Sequence, residues 1–337
     1  MKVGLVLGAG GTVGLAYHSG ALHALEDIGG FRPQDADLIV GTSAGSVIGS
    51  YLRTGWTTTD FWQFALGTHP HMAPLGRAPR AEPLVPTAAP DLPGRDLPGP
   101  EFLAPAYRGP VDFVRRSVGS AYVLSRSAVR VPVPVVPKPL RAAFPAGIFV
   151  MSEGRRRFAK ELPAAWPPEP LWLCAVDIVS GRRIVLGSRG SPPMTLQKAV
   201  MASCAIPGVY PPVPLGRRVL IDGGVHSTTN LDLAVRAGCE MIIAVAPMAY
   251  DSRLAPGWVG RAARRVPMQS LNREVALARR RGVRVLLVRP SATEVGLHGY
   301  RLMRSDGLDL VARAAFGATR LLVRTDRFRR ALDDLAA

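Results

Sequence analysis

Cysteine is scarce in this chain: Cys174, Cys204 and Cys239 are the only three in 337 residues, and they show no CxxC spacing. An odd, widely spaced set supports neither a disulfide framework nor a cysteine zinc site, and a reducing compartment is expected. Lysine is nearly absent too, found only at positions 2, 138, 160 and 198, so almost all of the 42 basic residues are arginine. Acids number only 25, which leaves a formal charge of +17. Such a balance invites a polyanionic partner. No recognised nucleic-acid motif accompanies it, however, and an arginine-rich solvated surface accounts for the charge, so no nucleic-acid partner is expected. Uninterrupted apolar runs are missing as well. The uncharged stretch from Val3 to Leu25 holds Gly8, Gly10, Gly11, Gly14 and Gly20, each of which costs a leader helix about 1 kcal/mol relative to alanine. The stretch from Ala199 to Gly216 contains Pro207, Pro211, Pro212 and Pro214, which a spanning helix cannot hold regularly. Neither a cleaved leader nor a transmembrane helix is expected, and the location expected is cytoplasmic, with peripheral membrane contact.

What is present is a core-forming composition. With 47% hydrophobic and 20% charged residues the chain is too apolar for wholesale disorder, and its 35 Gly and 31 Pro show no collagen period. We expect a single domain over 1–337, with its motif-bearing core over about 1–250. Val3 to Leu7 reads as a buried strand, followed by the glycine loop Gly8-Ala9-Gly10-Gly11-Thr12-Val13-Gly14 and a helix from Leu15 to Leu25. Asp37 to Val40 reads as a second strand, Gly41 to Gly45 as a tight turn, and Ser46 to Leu52 as a helix. This alternation predicts an α/β fold with a parallel sheet covered on both faces.

Sixteen of the prolines lie between Pro70 and Pro145, where regular structure cannot run far. That segment, about 70–145, reads as an insertion, either a surface linker or a lid over a site, with one helix within Gly109 to Arg130. Ala143 to Val150 is expected to return to the core. Beyond it, Leu171 to Val176, Arg183 to Leu186, Val219 to Ile221, Met241 to Ala246 and Val283 to Val288 read as strands, and Thr195 to Cys204 and Asn230 to Ala237 as helices. Arg261 to Arg281 reads as a basic amphipathic helix interrupted near Pro267, and Leu308 to Leu335 as the closing helices.

The pentapeptide Gly41-Thr42-Ser43-Ala44-Gly45 fits G-x-S-x-G at a strand-to-helix junction, the setting in which a tight turn projects a serine hydroxyl above a helix N-terminus. The glycine loop fails the dinucleotide spacing G-x-G-x-x-G, because Val13 stands where the third glycine belongs. It reads better as an oxyanion hole, with backbone N–H groups at Gly10, Gly11 and Thr12. Ser43 also needs a base. His18, His23, His69, His71, His226 and His298 show no triad order, although His226 and His298 stay open. Asp222, after the run Val219 to Ile221 and before Gly223 and Gly224, is the other candidate, its alternative being a plain turn residue.

Together, the glycine loop, the stretch Ile39 to Gly45, Ala199 to Pro212 with Ser203-Cys204-Ala205-Ile206-Pro207-Gly208, and Ile221 to Asn230 resemble the patatin-like phospholipase family. The resemblance implies a three-layer α/β/α fold with a central, mainly parallel sheet and the proline-rich insertion. It implies a Ser-Asp dyad acyl hydrolase with Ser43 as nucleophile, Asp222 as base, the Gly10 to Thr12 loop as oxyanion hole, and no cofactor or metal. The expected substrate is a fatty acyl ester of a phospholipid or related lipid at an interface, with the basic segment 261–281 and the insertion against an anionic membrane. Two positions depart from the family pattern: Ala9 replaces a loop glycine, and Val13 replaces a basic residue. That departure motivates the alternative of a non-catalytic lipid- or acyl-binding regulator; a His-dependent triad esterase is the other.

Overall fold

The computed structural model describes residues 1–70, 103–128, 136–249, 257–299 and 301–336. In chain order its strands are β1 Val3–Leu7, β2 Leu38–Gly41, β3 Ala104–Pro105, β4 Phe149–Val150, β5 Leu171–Asp177, β6 Arg182–Leu186, β7 Val213–Leu215, β8 Arg218–Asp222, β9 Met241–Val245 and β10 Arg284–Val288. The helices are α1 Gly11–Asp27, α2 Ala44–Arg53, α3 Thr58–Leu66, α4 Pro110–Ala128, α5 Lys138–Ala143, α6 Ser152–Glu161, α7 Leu196–Ser203, α8 Asp232–Arg236, α9 Gly257–Arg280, α10 Ala292–His298, α11 Leu308–Val323 and α12 Asp326–Ala336.

Alternate residues of the central strands feed two cores, as strands covered on both faces require. Leu5, Leu7, Ile39, Ile243 and Val245 pack on one face with residues of α1, α2, α7 and α11. Val6, Leu38, Val40, Ile242 and Ala244 pack on the other with Leu233 of α8 and Leu271 and Ala278 of α9. The result is a three-layer α/β/α arrangement. The main sheet runs β10-β9-β1-β2-β5-β8-β7, with β6 also on β5. It is mostly parallel at its centre: β10 with β9, β9 with β1, β1 with β2, and β2 with β5. The pairs β5–β6, β5–β8 and β7–β8 are antiparallel.

One register matters above the others. On β5, β2 pairs with Leu171 to Leu173 and β8 with Ala175 to Asp177, while β6 pairs with Leu173 to Asp177. A strand has two edges, so β2 and β8 must share one of them and lie end to end. Their directions are opposite, so their C-terminal ends face each other. Gly41 stands opposite Leu173 and Asp222 opposite Ala175, about 7 Å apart along the strand at roughly 3.3 Å per residue.

Part of the 70–145 insertion, 71–102 and 129–135, lies outside the described residues; of the remainder, α4 fulfils the helix expected within Gly109 to Arg130, apart from residues 129–130. Within Ala143 to Val150, Phe149 packs against the main core, and Phe149–Val150 pairs with Ala104–Pro105 in a separate two-stranded sheet. The helix α9 is not interrupted at Pro267: a proline removes one ladder bond, while Met268, Leu271, Val275 and Ala278 hold the following turns against the sheet.

The crossing of α2 over β1 leaves no room for a side chain at Gly45. A Cβ on Gly45 would overlap the carbonyl oxygen of Leu7, whereas one on Gly317 in α11 would meet open space. Thermal melts should therefore show Gly45→Ala losing at least about 3 kcal/mol through backbone overlap, while Gly317→Ala gains about 0.5–1 kcal/mol of helix propensity.

Candidate active site

Ser43 follows β2 by two residues and serves as N-cap of α2, with φ 52° and ψ −118°. A non-glycine residue held there costs on the order of 1–3 kcal/mol, so its neighbours must hold it. The Ser43 N–H donates to Ser203 Oγ at 3.1 Å, and its carbonyl accepts from Ser46 Oγ at 2.6 Å and Cys204 Sγ at 3.4 Å. Thr42 N–H donates to Leu7 O at 3.0 Å and Gly45 N–H to Gly8 O at 3.1 Å, which ties the turn to the glycine loop. Ala44 opens α2, and Gly41 and Gly45 allow the turn to close, since a Cβ on Gly41 would sit 2.7 Å from Gly45 O and Ser46 Cα.

Asp222 ends β8 facing this turn. Its N–H donates to Ala205 O at 3.0 Å, and its Oδ1 accepts from Gly224 N–H at 2.7 Å. The Ser43 hydroxyl faces this carboxylate. Burial pushes the carboxyl from an ordinary 3.8 up to about 6, and the Gly224 N–H and the Ser43 hydroxyl oppose that rise. Gly223 is required by contact, because a Cβ there would overlap the Cys174 carbonyl. The nearby Cys204 thiol is pushed up to about 12, first by burial and then by the Asp222 charge, so it stays protonated.

The glycine loop lies beside both groups. Gly8 N–H donates to Val245 O at 2.9 Å and Ala9 N–H to Thr228 O at 2.8 Å. Further along, the N–H groups of Gly10, Gly11 and Thr12 donate to no protein acceptor among the described residues. Val13 N–H instead meets Leu302 O at 3.1 Å, and the Thr12 hydroxyl donates to Leu302 O at 3.1 Å and Arg304 O at 2.5 Å. Three donors at a helix N-terminus thus remain for a developing anion. Beneath them, buried His18 Nε2 lies 2.8 Å from Gly8 O. A carbonyl only accepts, so Nε2 carries the proton, and burial lowers this imidazole to about 4, leaving it neutral.

A model of the patatin-like phospholipase family matches residues 5–68 and 169–235, the two segments that carry all three of these features. Over those two segments the chain is similar to the patatin-like phospholipase family. Members of that family are generally lipid acyl hydrolases. Among solved structures the chain is similar to VipD from Legionella pneumophila, at 13% identity and a TM-score of 0.39, over 96% of this chain and 66% of VipD. The chain thus spans just under two thirds of that protein.

In this chain the residues singled out in sequence come together: Ser43, Asp222, and the loop from Gly10 to Thr12 share one corner of the sheet. Of the candidate histidines, His71 lies outside the described residues. His298 is buried edge-on against Tyr17, 5.3 Å between ring centroids, and His226 is exposed in the field of Asp232. Sequence reasoning missed the supports. Asn230, at φ 53°, donates to Thr42 Oγ1 at 3.0 Å and to Ser227 O at 2.7 Å, and its Oδ1 accepts from Arg183 at 2.9 Å. Arg183 in turn grips Asp232 at 2.6 and 2.8 Å, while buried Glu274 accepts from Thr229 Oγ1 at 2.6 Å and Leu231 N–H at 2.9 Å. Asn230 closed the resembling stretch, but nothing in the sequence shows that it reaches Thr42. An apolar pocket opens at Ser43 between α1, α2, α3 and α6.

The raised carboxyl carries a stability cost of known sign. Between pH 3.8 and about 6 folded Asp222 binds more proton than the unfolded chain, so its contribution is unfavourable above pH 6 and is relieved as pH falls through that window. Asp222→Asn should therefore melt higher than the parent at pH 8, by up to about 3 kcal/mol. Melting curves should show that gain shrinking as the pH is lowered from 6 toward 4.

Proposed function

We propose that the chain is a serine acyl hydrolase that cleaves fatty acyl esters of phospholipids or related lipids through Ser43 and Asp222. The observation that carries this reading is the Ser43 hydroxyl beside the buried Asp222 carboxylate, at the facing ends of β2 and β8. Asp222 takes the hydroxyl proton as Oγ bonds to the ester carbonyl carbon. The carbonyl oxygen becomes an oxyanion beside the N–H groups of Gly10, Gly11 and Thr12, each such donor contributing roughly 3 kcal/mol to the transition state. Collapse expels the alcohol, which receives the proton from Asp222. Water, deprotonated by the same carboxylate, then releases the acid from Ser43. A carboxyl near 6 is a far better base at neutrality than a free one, and such assistance is worth about 10² to 10⁴-fold.

Hydrolysis of p-nitrophenyl butyrate should fall by at least about 10³-fold in Ser43→Ala and in Asp222→Asn, with His226→Gln near the parent rate. The kcat/KM profile should drop below a midpoint near pH 6 as Asp222 protonates. A fluorophosphonate adduct mapped to any peptide lacking Ser43 would overturn the reading.

Membrane contact is proposed through α4 and not through the basic helix α9. Leu271 and Ala278 of α9 pack on the sheet face opposite the one that carries the pocket helices α1 and α2. On α4, Val111, Val114 and Val118 recur at helical spacing with 74%, 60% and 51% exposure. The same helix carries Arg115, Arg116 and Arg126 against one acid, Asp112, and its Leu124 packs over Gly208, in the loop whose Ile206 and Tyr210 line the pocket. An apolar stripe among cations suits an anionic bilayer. The double variant Val114→Asp, Val118→Asp should lose sedimentation with phosphatidylglycerol vesicles at physiological salt while keeping butyrate hydrolysis; unchanged sedimentation would remove α4 from the contact.

A further inference from the structure

The pocket at Ser43 has a floor, and its depth is set by one helix. Ser43, Val47 and Tyr51 follow one another along the same face of α2 and all line the cavity. Eight residues separate the first from the last, about 12 Å at roughly 1.5 Å per residue. Between them the walls are apolar, with Leu15 from α1 and Phe158 from α6 facing the same space.

At its Tyr51 end the cavity is lined by side chains that lock one another. The Tyr51 hydroxyl donates to Glu161 Oε2, which joins α2 to α6 across the floor. Trp56 packs beside it, edge-on or tilted to its neighbours, with ring centroids 4.9 Å from Tyr51, 5.1 Å from Phe61 and 5.8 Å from Phe64. Tyr51 is only 6% exposed and Phe61 3%. Passage of a longer chain would break the Tyr51–Glu161 bond and leave the buried Tyr51 hydroxyl without this partner, a substantial penalty, and it would also have to displace Trp56 from the rings packed against it. Glu161, on α6, lies outside the two segments that match the family, whereas Tyr51, Trp56, Phe61 and Phe64 lie within the first of them.

We propose that the pocket holds the acyl chain of the ester and measures it, with Tyr51 as the residue that sets the limit. An extended alkyl chain advances about 1.3 Å per carbon, so the roughly 12 Å from Ser43 to Tyr51 admits about eight to ten carbons. The substrate class is then a medium-chain acyl ester, with long chains excluded by the aromatic floor. The inference rests on the acyl-hydrolase reading, since it needs an ester carbonyl at Ser43.

The test compares kcat/KM for p-nitrophenyl butyrate, octanoate, laurate and palmitate, each below its aggregation limit, in the parent and in Tyr51→Ala. The parent should prefer octanoate and fall at least tenfold by palmitate, and Tyr51→Ala should move the preference to laurate or beyond. Inactivation of the parent by octyl and hexadecyl fluorophosphonates repeats the comparison without a variant, and the octyl reagent should react at least tenfold faster. Equal rates for the two reagents, a parent preference for palmitate, or an unchanged profile in Tyr51→Ala would overturn the length limit while leaving the dyad reading intact. Absence of both labelling and ester turnover would overturn the dyad reading, and the length limit with it.

Discussion

The site depends on how β5 is shared. Its lower half takes β2 and its upper half takes β8 on the same edge, so two strands running in opposite directions end facing each other. The chain leaves one end through Ser43 and the other through Asp222, and about two residues of β5, roughly 7 Å, separate the strand ends. No flexible loop has to find a partner over a long distance. The separation of the hydroxyl from the carboxylate is thereby fixed by backbone hydrogen bonds of the sheet, among the stiffest elements in a protein, and the two groups meet across a gap that only small residues can line. Glycines at 41, 45 and 223 meet that condition, each where a Cβ would strike backbone.

Such an arrangement opposes stability in two places at once. Ser43 occupies a left-handed conformation, and Asp222 is a buried carboxylate with no cation beside it, only Gly224 N–H and the serine hydroxyl. Both are tolerated because the surroundings are dense and hold the backbone around them by several hydrogen bonds. Ser203, Ser46 and Cys204 fix the serine backbone, and Asn230 holds the preceding threonine while itself anchored to Arg183. His18 belongs to the same scheme. Were it charged, its proton would sit buried under the glycine loop; burial keeps it neutral and makes it a strut for Gly8, whose carbonyl also receives Gly45 N–H. Loop and elbow are thus held through one shared carbonyl.

Much of this was legible in sequence because the parts that carry chemistry are local. A strand, a run of glycines and a helix announce an N–H-lined loop wherever they occur, and G-x-S-x-G declares its own geometry, since the turn permits no larger residue. Asp222 was harder. As a sequence feature it is one acid before two glycines, and only the antiparallel return of β8 onto β5 explains why it meets Ser43. Period-two and period-3.6 patterns mark elements but not their direction, so a reading of parallel strands missed the three antiparallel pairs. Long-range supports were invisible for the same reason: Thr42 and Asn230 are 188 residues apart. Pro267 misled in another way. It marks one missing hydrogen bond, and the apolar stripe from Met268 to Ala278 outweighs it.

The division of the chain between family-matched and unmatched segments suggests how chemistry and selectivity are separated. Residues 5–68 and 169–235 hold the elbow, the acid and the N–H loop, all bound to the register of a rigid sheet. The intervening stretch contributes α4, with its exposed valines, and α6, with Glu161 on the pocket floor. These helices pack around the site without taking part in its strand pairing. A substitution on α6 can therefore change pocket depth without altering the distance between Ser43 and Asp222, whereas a residue inserted into β5 between Leu173 and Ala175 would move the acid away from the serine and turn every following side chain to the opposite face.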